Sequence, residues 1–204
     1  MTARDASPTA PSPAAPSHAA RPVADVAKRA RPLGLRFIVA VANEPWQEHD
    51  AARTAERWAV LCTEHGDPTL GNSPVRDAAL RDAVTEVRTL FAIAEPQAAA
   101  NALNAALASA TATSELAQLA DGRWALRPAL PYDARAATAY RMLAVAALAD
   151  WFAERGRPAW GHCAAPGCGN VFIDEGRRQP QRFCTPTCAT RTRVAAHRRG
   201  TAGE

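Results

Sequence analysis

Lysine is almost missing from this chain: one, Lys28, stands beside 23 arginines, so arginine abundance alone says little about function. No run of 18 apolar residues occurs, which excludes a transmembrane helix. The N-terminal stretch lacks the uninterrupted apolar core of a secretory signal. Only five cysteines are present, four of them inside 26 residues, which is not the pattern of a secreted disulfide scaffold. A reduced, cytoplasmic setting is therefore expected. P-loop, GxGxxG, G-x-S-x-G and HExxH patterns are all absent, and His49, His65 and His162 have no catalytic constellation around them. The reading predicts a protein that is not an enzyme. Large hydrophobes are scarce as well. Alanine supplies 50 of the 204 residues and most of the apolar count, leaving about a quarter of the chain as larger apolar side chains. Alanine favours helix and adds little burial, so a mainly α protein with a modest core is expected.

The net charge of +4 is unevenly spread. Residues 1–33 hold five basic and two acidic groups, residues 34–159 hold 12 and 15, and residues 160–204 hold seven and three. The first 33 residues, with six Pro, ten Ala and no aromatic, cannot bury enough apolar area to offset their conformational entropy. They read as a disordered Ala/Pro/Arg-rich arm. Its composition has the flavour of a transit peptide, but a plain unstructured extension is the preferred reading.

Residues 34–157 read as a helical domain with one hairpin. Leu35, Phe37, Ile38 and Val41 form a first short element, interrupted at Asn43, Glu44 and Pro45. A helix follows with Ala51, Ala55, Trp58 and Cys62 on one stripe, ended by Gly66, Asp67 and Pro68. Ser73-Pro74 predicts the start of the next helix, with Leu80, Val84, Val87 and Phe91 inward. Another runs from Pro96 to about Ala108. Asp121-Gly122, between Leu116, Leu119 and Trp124, Leu126, predicts a β-hairpin. The clearest helix carries Tyr140, Leu143, Ala144, Ala147, Leu148, Trp151 and Phe152 on one face and stops at Gly156 and Pro158. Cys62 reads as a core thiol. Trp46, Trp58, Trp124, Trp151 and Trp160 read as core or interdomain anchors, with Trp160 packing the C-terminal segment onto the long helix.

Residues 158–200 carry the chemistry. Cys163, Cys168, Cys184 and Cys188 are spaced C-x4-C-x15-C-x3-C. Tetrahedral Zn²⁺ takes four thiolates in two close pairs across a longer loop. Two disulfides need an oxidising compartment, the spacing is not a familiar iron–sulfur run, and a catalytic zinc needs an open position that four thiolates close. His162 adjoins Cys163, but the four cysteines already complete the sphere. One structural zinc is the reading. Pro166, Gly167 and Gly169 suit a tight knuckle. Thr185 suits an N-cap and Pro186 the first helical position, which puts Cys188 in the first turn of a helix. With only Phe172, Ile173 and Phe183 as its own core, the module depends on metal for folding: chelation or Cys184→Ser is expected to unfold it and leave the helical domain folded.

Between Arg177 and Arg199 lie seven arginines and no acid: Arg177, Arg178, Arg182, Arg191, Arg193, Arg198 and Arg199. Arg191, Val194, Ala195 and Arg198 share a helical stripe flanked by Arg193, His197 and Arg199. A rigid helix projecting arginines suits phosphate and guanine contacts, so these seven are the expected nucleic-acid contacts. Zinc with four thiolates carries −2, which lowers the module's formal +4 to about +2 and favours binding as two copies or with help from the basic arm.

The segment resembles the CGNR zinc finger found at the C-terminus of a bacterial family of stress-induced transcription regulators. Phe172-Ile173-Asp174 matches a Phe-x-Asp step, and Arg182-Phe183-Cys184 an aromatic-Cys step. Cys188-Ala189-Thr190-Arg191 stands where the family has Cys-Gly-Asn-Arg, so only Arg191 of the name-giving triplet remains. The upstream region is similar to the ABATE domain that precedes this finger, in the order of the Leu35–Asn43 segment, Leu103-Asn104, the Asp121-Gly122 hairpin and the long helix. The resemblance implies a zinc-dependent, DNA-binding transcriptional regulator responsive to stress, with a treble-clef or ribbon-like finger. It implies a helical domain that senses an unidentified small-molecule effector or forms a homodimer. The alternative is an RNA- or protein-binding zinc-finger adaptor. No membrane partner is expected.

Overall fold

The computed structural model describes residues 33–109, 113–118, 124–131, 133–176 and 179–201. Apart from Leu33, the expected arm lies outside them, as do Leu119 and the Asp121-Gly122 turn. Seven α-helices, one short 3-10 helix at Trp46–Glu48 and two two-stranded antiparallel sheets are found among the described residues.

Helix α1 spans Leu35–Asn43 and turns Phe37, Ile38, Val41 and Ala42 inward. Helix α2, Ala51–Glu64, starts where the Asp50 carboxylate accepts the Arg53 N–H at 2.8 Å. Its buried stripe is Thr54, Trp58, Leu61 and Cys62. Ala51 and Ala55 are exposed, a correction to the expected stripe: alanine loses little by facing water, and the larger Leu61 takes the inward position. Asp67 caps the short α3, Pro68–Gly71, which lies close on α2; a Cβ on Gly71 would come within 3.1 Å of the Ala59 backbone.

Helix α4 spans Asp77–Phe91 and buries Leu80, Val84, Val87 and Phe91 as expected. It begins at Asp77 rather than at Ser73-Pro74. The Pro74 carbonyl instead accepts the Ala136 N–H at 3.1 Å, holding the start of a distant helix. Helix α5, Pro96–Ser109, is capped by the Glu95 carboxylate, which accepts the N–H groups of Gln97 and Ala98. Helix α6, Ala136–Arg155, is buried on most of its circumference: Ala136, Ala137, Ala139, Tyr140, Met142, Leu143, Ala144, Val145, Leu148 and Trp151. Such a helix sits at the centre of a bundle, and its alanines let α1, α4 and α5 approach closely. Gly156 ends it in the left-handed conformation at φ 65°.

Strands β1, Ser114–Gln118, and β2, Trp124–Pro128, form the expected hairpin with Leu116 opposite Leu126. Arg127 ties it down by reaching Glu115 and Asp67, both at 3.0 Å. Leu116, Trp124 and Leu126 are 68%, 65% and 68% exposed. The expectation that Trp124 anchors a core is thus overturned, because the ribbon presents that face to solvent. The other four indoles are buried and each donates to a backbone carbonyl: Trp46 to Val41, Trp58 to Leu70, Trp151 to Ala159 and Trp160 to Leu90. Cys62 is fully buried, and burial, then the nearby Asp67 charge, pushes its thiol up to about 12, as suits an inert core cysteine.

Strands β3, Trp160–His162, and β4, Val171–Ile173, pair in a second hairpin. Helix α7, Pro186–Thr201, closes the described chain. Val171, Ile173, Ala159 and Trp160 belong to the same core as the helices. The segment after α6 therefore does not rely only on Phe172, Ile173 and Phe183: the bundle lends its hairpin a ready-made apolar floor. Trp160 packs against Phe152 of α6, ring centroids 6.3 Å apart, as the sequence suggested.

Candidate metal centre and basic helix

The β3–β4 hairpin supplies the first cysteine pair. Its ladder runs one step past His162, where the Cys163 N–H donates to the Asn170 carbonyl at 2.8 Å. The intervening loop turns through Gly167, at φ 72°, and the Cys168 N–H bonds the Ala165 carbonyl at 3.0 Å. The second pair stands at the start of α7. Thr185 Oγ1 accepts the Cys188 N–H at 3.2 Å, making Thr185 the N-cap that the sequence predicts. The two halves are joined where the Ala164 N–H donates to the Arg182 carbonyl at 2.9 Å.

This brings all four sulfurs within 4.8 Å of one another. Cys168 and Cys184 are 3.7 Å apart, Cys184 and Cys188 3.7 Å, and Cys188 and Cys168 3.9 Å. Zinc–sulfur bonds of about 2.3 Å place the corners of a tetrahedron about 3.8 Å apart. A disulfide needs about 2.05 Å, and none of the five cysteines is in one. The donor set, four thiols within 4.8 Å of one another and three of them at tetrahedral spacing, fits one structural Zn²⁺ held by Cys163, Cys168, Cys184 and Cys188. Zinc supplies cross-linking of the hairpin loop to the helix start, with no position left for a reacting group.

The electrostatics agree. Burial pushes the Cys163 thiol up, but the backbone N–H groups of Cys184 and Ala165, joined by the Cys184 and Cys168 thiols, more than offset it, and its pKa falls to about 7. Burial and the neighbouring thiols push Cys184 up to about 12. Four thiols this close cannot all ionise against one another; a divalent cation among them removes the conflict, and binding releases the protons. The start of α7 adds its positive end beside Cys188. His162 turns away, its Nε2 lying 3.3 Å from the Arg88 carbonyl, and is not among the clustered groups.

Of the seven arginines expected to contact nucleic acid, Arg177 and Arg178 lie outside the described residues. Arg182 is exposed, its guanidinium 5.9 Å over the Phe183 ring. Arg191, Arg193 and Arg198 are exposed on α7. Arg199 is on the same helix, its side chain outside the described set. Within the described part of α7, only Cys188, Ala189 and Thr192 are half-buried, and the Thr192 hydroxyl donates to the Cys188 carbonyl at 2.9 Å. No described residue of α7 enters the core.

Sequence reasoning missed the side chains that dock the knuckle. Asn43, read as a helix interrupter, donates from Nδ2 to the Val171 carbonyl at 2.9 Å and accepts the Val171 N–H on Oδ1 at 2.8 Å. Arg88 donates to the Ala42 carbonyl at 2.6 Å and, by a short bond, to the Gly169 carbonyl. Asp174, noted only as part of a motif, is buried, pairs with Arg157 at 2.7 Å and accepts the Gly176 N–H at 2.9 Å. These partners are 128, 81 and 17 residues apart in the chain, and no local pattern announces them.

Residues 160–200 match the family model described as the CGNR zinc finger. The match covers both cysteine pairs and nearly all of α7, and it leaves the helical bundle outside. A search of curated proteins finds no match to the chain.

Proposed function

We propose that this protein is a zinc-dependent DNA-binding transcriptional regulator whose α7 docks on duplex DNA. The observation that carries the reading is a helix anchored at its N-terminus by a metal site, free of acids, and exposing Arg191, Arg193 and Arg198 outside the core. Side chains of this kind contact phosphates and base edges, and the rigid metal knuckle fixes their direction. Arg182, four residues before the helix, is exposed as well. The likeness to the CGNR finger supports this reading of the C-terminal part.

The helical bundle is the sensor or dimerisation module in this reading, and stress is the signal that the resemblance to ABATE-containing regulators suggests. A homodimer would present two α7 helices and offset the modest charge of one finger. The site is cytoplasmic, the effector a small molecule, and no catalytic step is assigned.

The experiment is binding of zinc-loaded full chain to random duplex DNA and to single-stranded RNA across a salt series. Duplex affinity falling steeply with salt supports the proposal. Preference for RNA points to the RNA adaptor, and no duplex binding at low salt overturns the DNA reading.

A further inference from the structure

We infer that Asn43 and Arg88, two side chains of the helical bundle, hold the knuckle between Cys163 and Cys168 in its metal-binding shape, so that the affinity for zinc is set in part by the bundle.

The knuckle has little to hold itself with. Between the two cysteines only Ala165 is buried. The ladder of the β3–β4 hairpin ends at the Cys163–Asn170 bond, and beyond it the loop carries Cys168 toward the second pair. The bundle grips this loop at two points just past Cys168. Arg88, from the last turns of α4, fixes the Gly169 carbonyl, the residue next to Cys168. Asn43, the last residue of α1, fixes both backbone groups of Val171, the residue next to Asn170. Asn170 lies between the two grips. Its carbonyl holds the Cys163 N–H, and its amide lies 3.9 Å from the Cys184 sulfur.

Asn43 acts here as a one-residue strand. Val171 pairs with His162 on one side of β4, and its own N–H and C=O face the other way. An asparagine side chain offers one donor and one acceptor at the spacing of a peptide, and both are used. Arg88 is bifunctional too. One arm of its guanidinium satisfies the Ala42 carbonyl, one of the carbonyls that the end of α1 leaves without a helical partner, and the other satisfies the knuckle. Its own backbone carbonyl lies 3.3 Å from the His162 ring. The end of α1, the last turns of α4 and the knuckle are thus fastened at one junction.

Groups that orient metal ligands from behind typically alter metal affinity 10–100-fold when removed. Their placement in the bundle also makes the coupling reciprocal: what the bundle gives to zinc binding, zinc gives to the bundle. The readouts are metal affinity and backbone exchange, and none involves nucleic acid, so the inference stands or falls apart from the function proposed above.

The experiment measures zinc affinity of the full chain by chelator competition, with the Co²⁺-thiolate absorption as a spectroscopic check of ligand geometry. Asn43→Ala and Arg88→Ala are expected to weaken zinc at least tenfold, with Arg88→Lys, which keeps a single donor nitrogen, recovering part of the loss. Leu103→Ala, in the buried face of α5, is the control: it is expected to lower the melting temperature and leave zinc affinity unchanged. Unchanged affinity in both junction variants overturns the inference, and so does an equal loss in Leu103→Ala, which would make the effect one of general stability. Should the junction variants fail to fold, hydrogen exchange on the native chain decides. Chelation is expected to accelerate exchange at the end of α1 and the last turns of α4 while α5 is unaffected; uniform or absent change at these positions overturns it.

Discussion

Arg191 Nη2 lies 3.9 Å from the sulfur of Cys188, one turn earlier on α7. The arginine that matches the name-giving triplet of the finger this segment resembles therefore lies beside the metal site as well as facing solvent. A guanidinium beside a thiolate offsets part of the −2 charge of a zinc tetrathiolate. Arg193, by contrast, donates to the Thr190 hydroxyl at 3.3 Å.

The two arginines are expected to separate in mutagenesis. Arg191→Ala weakens zinc about threefold, the scale of an exposed charge pair, and also weakens nucleic acid. Arg193→Ala leaves zinc unchanged and lowers the salt slope of DNA binding by about one. Chelator competition and salt-dependent duplex binding on the same preparations check both halves.

Cys184→Ser removes a ligand and with it the link between knuckle and helix. The expected loss is the helical signal of the 16 residues of α7, with the β3–β4 hairpin staying docked because Val171 and Ile173 rest in the bundle core. Far-UV dichroism reports α7, and the Trp160 indole, held by the Leu90 carbonyl, reports the hairpin. Release of Trp160 to water together with α7 would show that the hairpin needs the metal too.

Thr185→Ala takes away the cap of α7. The Cys188 N–H loses its side-chain acceptor, at a cost of about 1 kcal/mol to the helix start. Faster amide exchange at Cys188 and weaker zinc binding are expected, with Thr185→Ser restoring both.

Asp174 gives an acid-side prediction. Burial pushes its carboxyl up, but the Arg157 guanidinium and the backbone N–H groups of Gly176 and Gln181 outweigh this and hold it below the usual carboxylate range. A depressed folded-state pKa contributes stability that is complete above the unfolded value of about 3.9 and is lost as pH falls through the folded one. Asp174→Asn is expected to cost about 2 kcal/mol at neutral pH and to flatten the dependence of stability on pH below about 4. Denaturant unfolding at pH 7 and at pH 3 checks it.

What the sequence reveals here is what is written locally. The four cysteines, the Thr185 cap, the stop at Gly156, the α4 stripe and the hairpin ladder each depend on residues a few positions apart. Ser73-Pro74 misled because a start signal is also a good loop, and here the Pro74 carbonyl serves α6. Trp124 misled because a ribbon of two strands has two faces: Arg127 ties down one, and Trp124 stands on the other. Asn43 and Arg88 were invisible for a different reason. Their partners are backbone groups of a distant loop, and a backbone carbonyl leaves no mark in the sequence.

The uneven treatment of the five tryptophans gives the molecule a built-in optical gauge. Four indoles are shielded and bonded, whereas Trp124 stands in water on the β1–β2 ribbon. Iodide in solution reaches one emitter in five, so quenching reads the state of that ribbon alone. Any second copy or other molecule that covers it announces itself as light that iodide no longer extinguishes.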